Sequence, residues 1–263
     1  MTPPHGTKAI EKAFDLLDLV ADHPSGLPLH EISRISHMPK STAHRILAVL
    51  VRREMLRFDP ANDQYKIGRR PVLLSRGYLA GFNFAQEIRP VLEELNRSLD
   101  ETIHLGVLDA TGQRVVYIDK LDSSRAVRMF SRVGQTVPVH CTALGKAILS
   151  ALSADALATV LKDYRFKIFT PNTIPNRARL LAEIRRVRER GYAVDDHEHE
   201  GAVMCVGKAF RNSEGEVLGA ISVSIPELRV KEDTVRRLAQ HVIRGVAHIE
   251  EIMHHIPSTE VWG

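Results

Sequence analysis

Apolar side chains recur at helical spacing along residues 28–52 and divide this segment into two short helices joined by a turn. At 100° per residue, one face of the second helix is apolar and comprises Ala43, Ile46, Leu47 and Leu50. Polar or small side chains share the opposite face, which comprises Ser41, His44, Arg45 and Ala48. A helix-turn-helix needs an apolar back and a polar front that can enter the major groove. An amphipathic surface hairpin has the same pattern, so this segment alone leaves both interpretations open.

The flanking segments decide between these interpretations. Upstream, helical spacing predicts a first helix whose inward side chains are Ile10, Phe14, Leu17 and Ala21. Downstream, residues 55–58 and 64–67 have the pattern of two short strands around a turn at 59–63. Three helices followed by a hairpin are typical of a winged helix-turn-helix. The pattern therefore predicts a DNA-binding unit over residues 1–70.

A connecting segment follows this unit. Residues 72–79 predict a short linker helix that carries Leu73, Leu74 and Leu79, and residues 84–99 predict a longer helix interrupted at Pro90. Leucines on a connector indicate that it packs against another surface. We favour the same helix of a second subunit over packing within one chain. The predicted organisation is a DNA-binding domain at 1–70, a linker and dimerisation helix at 71–84, and a third region at 85–263.

Beyond residue 100 the pattern changes to strands alternating with helices. Strands are predicted at residues 102–108, 114–120, 126–130, 203–211 and 217–225, and helices at 143–152, 177–190 and in the apolar-striped C-terminal segment from Val235 to Met253. Hairpins covered by helices predict an α+β domain with a mostly antiparallel sheet.

Charge and composition narrow the class of protein. The chain has 263 residues and a net charge of +4, and residues 1–70 contain 11 Lys/Arg and 8 Asp/Glu. This excess favours association with phosphates. Two cysteines in no Cys-x-x-Cys spacing exclude a disulfide scaffold and a zinc finger. The sequence shows no apolar signal region and no run long enough to cross a bilayer, so we expect a cytoplasmic protein without a membrane partner.

Two segments carry candidate chemistry. Alternation along residues 218–225 places Ser222 and Ser224 on one face, where two hydroxyls could bind a small carboxylate, unless they simply face solvent. Residues 195–200, together with His140, Cys141 and Cys205, offer metal-ligand types and leave open a zinc-dependent hydrolase or a metal-responsive regulator. The alternative interpretation, which we favour, is that the acidic segment is a solvated loop. Neither a His-Glu-x-x-His nor a Gly-x-Ser-x-Gly motif is present. We therefore expect no enzyme activity, no metal and no cofactor.

Four motifs resemble the IclR-type bacterial transcription regulators, and the resemblance covers nearly the whole chain. They lie at Pro39–Leu47, at Ala143–Leu149, at Asp195–Gly201 with Cys205, and at Gly219–Ser224. The resemblance implies an N-terminal winged helix, a linker helix that dimerises, and a GAF-like C-terminal domain that binds a small organic acid. Residues 101–134, including 118–123 and 128–132, look most like the branch that controls ketodeoxygluconate and related sugar-acid catabolism.

The resemblance also implies an effector site formed by Ala126, Met129, Ala143, Leu144, Asp195, Val203, Cys205, Ser222 and Ser224. Backbone N–H groups at a helix start near Ala143 would suit an anion. Two departures from the family pattern, Ala143 in place of a common glycine and Val206–Ala209 in place of small apolar residues leading to a proline, could narrow or charge this pocket.

The expected DNA contacts divide into base-reading and phosphate-binding residues. Ser41, Thr42, His44 and Arg45 are expected in the major groove, with phosphates contacted by Lys40, Arg57 and Lys66. The sequence thus predicts a transcription regulator, expected to be a repressor, whose binding to double-stranded operator DNA responds to a sugar acid or 2-keto acid. It is expected to act as a homodimer or a dimer of dimers.

Overall fold

The computed structural model describes residues 8–80, 83–127 and 129–256, and the side chains of residues 78–80 and 83 lie outside this description. The described residues form two units, one within Met1–Ala80 and the other within Gly81–Gly263. Among the described residues, no helix combines the length and the apolar character that a membrane crossing needs.

The first unit is a winged helix-turn-helix, as the hydrophobic pattern predicted. Its elements are α1 (Lys8–Ala21), α2 (Leu29–Ile35), α3 (Lys40–Arg52), β1 (Leu56–Asp59), β2 (Gln64–Ile67) and α4 (Arg70–Ala80). Strands β1 and β2 pair in antiparallel register, with Leu56 opposite Ile67 and Arg57 opposite Lys66. Proline at position 39 precedes the first turn of α3, where the missing N–H of a proline is tolerated.

The inward face of α1 differs from the prediction. Leu16 and Val20 are fully buried, whereas Ile10 and Phe14 are each 59% exposed. Apolar residues occupy a wide arc of this helix, because alanine, leucine and valine lie between the predicted positions. Periodicity alone therefore did not determine which edge of the arc packs against α3.

Helix α3 follows the predicted pattern more closely. Ala43, Leu47 and Leu50 are buried, and Ile46 packs partly buried against the same core. Helix α4 begins at Arg70 and ends at Ala80 within the first unit, and it exposes Leu73 and Leu74. The third predicted leucine of the linker, Leu79, has a side chain outside the described residues.

The second unit is built on a six-stranded sheet. Its elements are α5 (Asn83–Leu99), β3 (Thr102–Leu108), β4 (Arg114–Leu121), β5 (Thr136–Pro138), α6 (Ala143–Ala151), α7 (Ala154–Val160), α8 (Arg177–Arg190), β6 (Ala193–Asp196), β7 (Val203–Arg211), β8 (Val217–Pro226) and α9 (Thr234–His254). The strand order is β5-β4-β3-β8-β7-β6, and every neighbouring pair is antiparallel. The predicted α+β class with an antiparallel sheet is confirmed.

Both faces of this sheet are covered. Side chains of α5 and α9 pack with Ile221, Val223 and Ile225 on one face. Side chains of α6 and α8 pack with Ala220 on the other. The alternation predicted along β8 therefore separates two apolar layers, and the two serines lie in the layer on the α6 side.

Three predicted elements of the second unit need correction. The strand predicted at residues 126–130 is absent from its described part, because the chain leaves the sheet after Leu121 and β5 pairs with β4 instead. Residue 128 lies outside the described residues. Helix α5 runs through Pro90 without the predicted interruption. Residues 193–196, expected to be part of a loop, form the edge strand β6.

Candidate functional site

Strand register brings polar side chains together in rows on one face of the sheet. In one row, Asp195 on β6 is opposite Cys205 on β7, and Cys205 is opposite Ser224 on β8. In the next row, Ser222 is opposite His104 on β3. Residues two apart on a strand point to the same side, so both rows face the space below the start of α6.

The start of α6 contributes a second set of hydrogen-bonding groups. Thr142 caps the helix, because its Oγ1 accepts a hydrogen bond from the Gly145 N–H at 3.1 Å. The N–H groups of Ala143 and Leu144, in the first turn, have no partner within the helix. Gly145 allows this turn to pack closely against the segment that follows β5, since a Cβ there would lie 2.3 Å from the Val139 Cα.

These elements line a small, partly open cavity. It is lined by Tyr117, Met129, Thr142, Ala143, Leu144, Asp195, His199, Glu200, Val203, Cys205, Ser222 and Ser224. Eight of the nine residues predicted for an effector site are in this set. The exception is Ala126, which is exposed on the loop after β4 and does not line the cavity. Ala126 was assigned from the family resemblance alone, and no contact among the described residues supports that assignment.

The two serines are buried in the second unit rather than facing solvent. Ser222 is 3% exposed and Ser224 is 2% exposed. The thiol of Cys205 donates to the Ser224 Oγ at 3.1 Å. Burial raises the pKa of the Cys205 thiol well above its ordinary value, so this thiol stays protonated and remains a donor.

Carboxyl groups form the opposite end of the cavity. Burial raises the pKa of Asp195 to about 7, although the Lys146 cation and the Glu198 N–H, which donates to Asp195 Oδ1 at 2.8 Å, both act to lower it. Burial also raises the pKa of Glu200 and lowers that of His199. Near neutral pH this end therefore carries less negative charge than its composition suggests.

A buried ion pair supports the loop behind this end. Lys146 on α6 is completely buried and pairs with Glu198. Burial raises the pKa of Glu198, and the Lys146 cation opposes that effect. The Thr173 hydroxyl donates to the Glu198 carbonyl at 2.6 Å. These contacts fix residues 195–200 against α6 and so position Asp195 in the cavity.

The residues considered as metal ligands have other partners. His140 contacts the Tyr164 hydroxyl at 2.8 Å and the Lys167 carbonyl at 3.1 Å. His197 contacts Asp196, and Glu198 pairs with Lys146. Within the part of the chain that the structure describes, no three His, Cys, Asp or Glu side chains converge as a metal site would require.

The candidate DNA-contacting residues lie on the outer side of the first unit. Those with exposed side chains are Lys40, Ser41, His44, Arg45 and Arg57, and Thr42 is half-buried. Lys66 differs, because its Nζ is 2.9 Å from Asp59 Oδ2 and its side chain is only 20% exposed. Hydrogen bonds from Lys66 and Asn62 lower the pKa of Asp59 to about 2, so the pair is ionised at neutral pH.

Sequence reasoning missed four lining residues as components of this cavity. Thr142 could have been found from its position just before the helix, where threonine is a favoured N-cap. His199 and Glu200 were noted only as metal-ligand types. Tyr117 had no distinguishing signal, because a tyrosine in an alternating strand is more often part of the core.

Comparisons with known proteins agree with this architecture. The IclR helix-turn-helix domain matches residues 9–60, and the bacterial transcriptional regulator IclR C-terminal domain matches residues 76–251. XynR, an HTH-type transcriptional regulator of Escherichia coli K12, is 34% identical over 227 residues, covering 86% of this chain and 88% of XynR. KdgR of the same strain, also an HTH-type transcriptional regulator, is 30% identical over 239 residues, covering 91% of this chain and 89% of KdgR.

A solved structure shows the same fold over nearly the whole chain. The crystal structure of the Thermotoga maritima IclR matches with a TM-score of 0.77 and 28% identity, covering 95% of this chain and 100% of that one. XynR and KdgR are transcriptional regulators rather than enzymes, and they give the hydrolase interpretation no support. Matches in both units, together with the winged helix and the sheet-and-helix unit that encloses a cavity, show that this protein is a DNA-binding transcription regulator of the IclR family.

Proposed function

We propose that the protein is a repressor whose affinity for operator DNA changes when a small carboxylate binds in the cavity of the second unit. The cavity carries this proposal. It brings the buried hydroxyls of Ser222 and Ser224 together with the unpaired N–H groups of Ala143 and Leu144 around one small pocket. A few convergent polar groups in a concave site are typical of small-ligand binding, and hydrogen bonds to a charged acceptor are among the stronger ones.

The acidic end of the cavity favours one class of carboxylate. Asp195 and Glu200 can accept hydrogen bonds from ligand hydroxyls, or donate one when protonated. A sugar acid presents a carboxylate at one end and hydroxyls along its length, whereas a short 2-keto acid has no hydroxyl for that end. We therefore favour a sugar acid, with Met129 and Val203 as the apolar wall and Cys205 beside Ser224.

The DNA-binding half of the proposal rests on α3 and on the wing, which is the β1–β2 hairpin. Ser41, Thr42, His44 and Arg45 would read base edges, while Lys40, Arg57 and Lys66 would contact phosphates. A homodimer, or a dimer of dimers, would present two such helices to a near-palindromic operator. Because the chromosome is its target, the protein would work in the cytoplasm.

The proposal is tested first by ligand screening. Thermal unfolding is followed with sugar acids, 2-keto acids and short carboxylates, and a ligand that binds the folded state raises the midpoint with concentration. The variant Ser222→Ala with Ser224→Ala should then abolish the shift while leaving operator affinity intact. Unchanged ligand affinity in this double variant would place the site elsewhere. Ser150→Ala, which alters a hydroxyl on α6 outside the cavity lining, is the matched control.

A further inference from the structure

A buried histidine connects two parts of the cavity wall. His104 is 1% exposed. Its Nδ1 lies 3.3 Å from the Ser224 Oγ, and its Nε2 lies 2.6 Å from the Ser131 Oγ. Its ring stacks on Tyr117, with 4.5 Å between ring centroids. His104 therefore bridges a hydroxyl that lines the cavity and a hydroxyl in the loop segment at residues 129–135.

The imidazole of His104 is neutral over the physiological range. Complete burial, helped by the nearby Lys120 cation and opposed by Asp122, lowers its pKa to about 3. A neutral imidazole has one N–H donor and one nitrogen acceptor. His104 can thus donate to either Ser224 or Ser131, but not to both at once.

The choice of donor nitrogen determines what Ser224 offers a ligand. Ser224 already accepts a hydrogen bond from the Cys205 thiol and has one proton to donate. If Nδ1 of His104 is the acceptor, that proton is used within the protein. If Nδ1 carries the proton, it donates to Ser224, and the serine proton is free for a carboxylate in the cavity.

The other nitrogen of His104 contacts a loop that also lines the cavity. Met129 faces the cavity, and the Lys120 Nζ donates to the carbonyls of Met129 at 3.2 Å and Ser131 at 2.7 Å. A change in the protonation of Nε2 therefore acts on the Ser131 hydroxyl, which is two residues along the chain from Met129 in the cavity wall. Ser131 would accept from Nε2–H in one tautomer and donate to bare Nε2 in the other.

We propose that His104 is a positioning residue of the effector cavity, which sets the hydrogen-bond polarity of Ser224 and couples it to residues 129–131 through Ser131. Carboxylate binding selects the tautomer with the proton on Nδ1. The change transfers one proton from Nε2 to Nδ1, so none is gained or lost overall. The inference rests on the proposed function, because the tautomer change follows from a ligand carboxylate that accepts a hydrogen bond from Ser224.

The first experiment reads the tautomer directly. Nitrogen frequencies of the protein labelled with ¹⁵N-histidine are recorded by long-range ¹H–¹⁵N correlation, with His104→Gln used for assignment. In the ligand-free protein, Ser224→Ala and Ser131→Ala should each shift the His104 nitrogens. Ser123→Ala should not, because this buried loop serine donates to the Asp100 carbonyl instead. Unchanged His104 frequencies in both test variants would overturn the proposal.

Sodium D-gluconate is the probe for the ligand-bound state. Its binding to the wild type should leave His104 neutral and place the proton on Nδ1. Binding without a change at either nitrogen would overturn the tautomer selection. If D-gluconate does not bind the wild type, that result counts against the sugar-acid proposal, and the ligand-free spectra still decide whether His104 joins Ser224 to Ser131.

The second experiment separates the two contacts with a matched pair of variants. The amide of His104→Asn reaches the position of Nδ1 beside Ser224, while that of His104→Gln reaches the position of Nε2 beside Ser131. Both variants lose the ring stacked on Tyr117, so both share that cost in stability. Calorimetric titration should show D-gluconate affinity about tenfold lower in the Gln variant than in the Asn variant, because only the Asn amide can donate to the Ser224 Oγ and so direct the serine proton toward the ligand.

Hydrogen exchange completes the comparison between these variants. Amides of residues 129–135 should exchange faster in the Asn variant, which loses the contact with Ser131, than in the Gln variant. Equal affinity and equal exchange in the two variants would show that His104 only fills space, and would overturn its positioning role.

Discussion

At the scale of single residues, Asp195 gives the protein a specific dependence on pH. Its pKa is about 7 in the folded chain because the carboxyl is buried, against about 3.9 in an unfolded chain. The protonated form therefore stabilises the fold fully below about pH 4, and this contribution is lost as pH rises toward 7. As the pH rises from 4 to 7, the wild type should therefore lose roughly 1–4 kcal/mol of its free energy of unfolding relative to Asp195→Asn.

Urea unfolding at several pH values measures this difference. Asp196→Asn is the control, because its carboxylate is the exposed neighbour on the same strand. Parallel pH curves for Asp195→Asn and the wild type would contradict a raised pKa. Ligand binding supplies an independent check, since a carboxylate should bind more weakly as Asp195 ionises above pH 7.

The two basic residues of the wing should contribute unequally to DNA binding. Arg57 is exposed on β1, whereas Lys66 is paired with Asp59 at 2.9 Å. Arg57→Ala should reduce the slope of log affinity against log salt by about one, and Lys66→Ala should reduce it by less. Asp59→Asn should steepen the slope, because it releases the Lys66 charge. Equal effects of the two alanine variants would show that the ion pair opens on DNA.

The sequence predicted most of the residues that line the cavity but not the contacts and burial that determine its electrostatics. Ser222 and Ser224 were found because strand alternation is local and strict. The role of His104 depends on the register of β3 against β8 and on a contact with Ser131 in a distant loop. No local pattern encodes these contacts. The raised pKa of Asp195 likewise depends on burial by segments far along the chain.

At the scale of elements, α3 is the proposed reading helix of the first unit. Arg45 is exposed on its polar face, opposite the buried Ala43 and Leu47. Arg45→Ala should cost about 1–3 kcal/mol of specific binding and relax base preference at one position. Titration of a selected operator and a scrambled duplex measures both effects.

An arginine on the adjacent helix provides the comparison for Arg45. Arg34 on α2 is also exposed and pairs with Glu31 at 2.6 Å, so Arg34→Ala should change binding little and equally for all sequences. Normal operator affinity and base preference in Arg45→Ala would mean that α3 does not read the bases.

The packing of α6 against the segment that follows β5 should depend on Gly145. An added Cβ would meet the backbone of Val139 at 2.3–2.6 Å, and backbone cannot move aside cheaply. Gly145→Ala should lower the free energy of unfolding by about 1–3 kcal/mol, as overpacking usually does, and should weaken ligand binding because α6 supplies cavity N–H groups. Gly201→Ala, with open space around its Cβ, should leave stability nearly unchanged. Similar stability of the two variants in urea would argue against this packing.

The buried face of a helix was predictable where its apolar stripe is narrow, and it was ambiguous where the stripe is broad. Helix α9 buries Leu238, Val242 and Val246 as its stripe predicts. Helix α1 has apolar residues over a wide arc, and its buried face is set by packing against α3. Residues 126–130 have strand-like composition, yet the position beside β4 belongs to β5. Tertiary packing, rather than local sequence, decides which segment pairs with β4 at the edge of the sheet.

At the scale of the whole molecule, the proposed regulation needs communication between the two units. The proposed DNA-contacting residues lie within Met1–Ala80 and the cavity lies within Gly81–Gly263. A ligand can shift DNA affinity only if it binds two global states with different affinities. The proposed subunit pairing through α4 would offer such states, because a change in pairing would alter the spacing of two reading helices.

Pairing of subunits is expected to involve α4. Leu73 and Leu74 are 58% and 56% exposed on this helix, and adjacent exposed leucines favour burial against a partner. The variant Leu73→Asp with Leu74→Asp should therefore sediment as a monomer at micromolar concentration, where we expect the wild type to sediment as a dimer or larger. Leu228→Asp, a change at an exposed leucine of the second unit, should leave assembly unchanged. Because each monomer would contact one half-site, the double variant should also lose most of its affinity for a palindromic operator while keeping weak binding to a half-site. A wild type that is strictly monomeric under these conditions, or a double variant that still dimerises, would rule out pairing through α4.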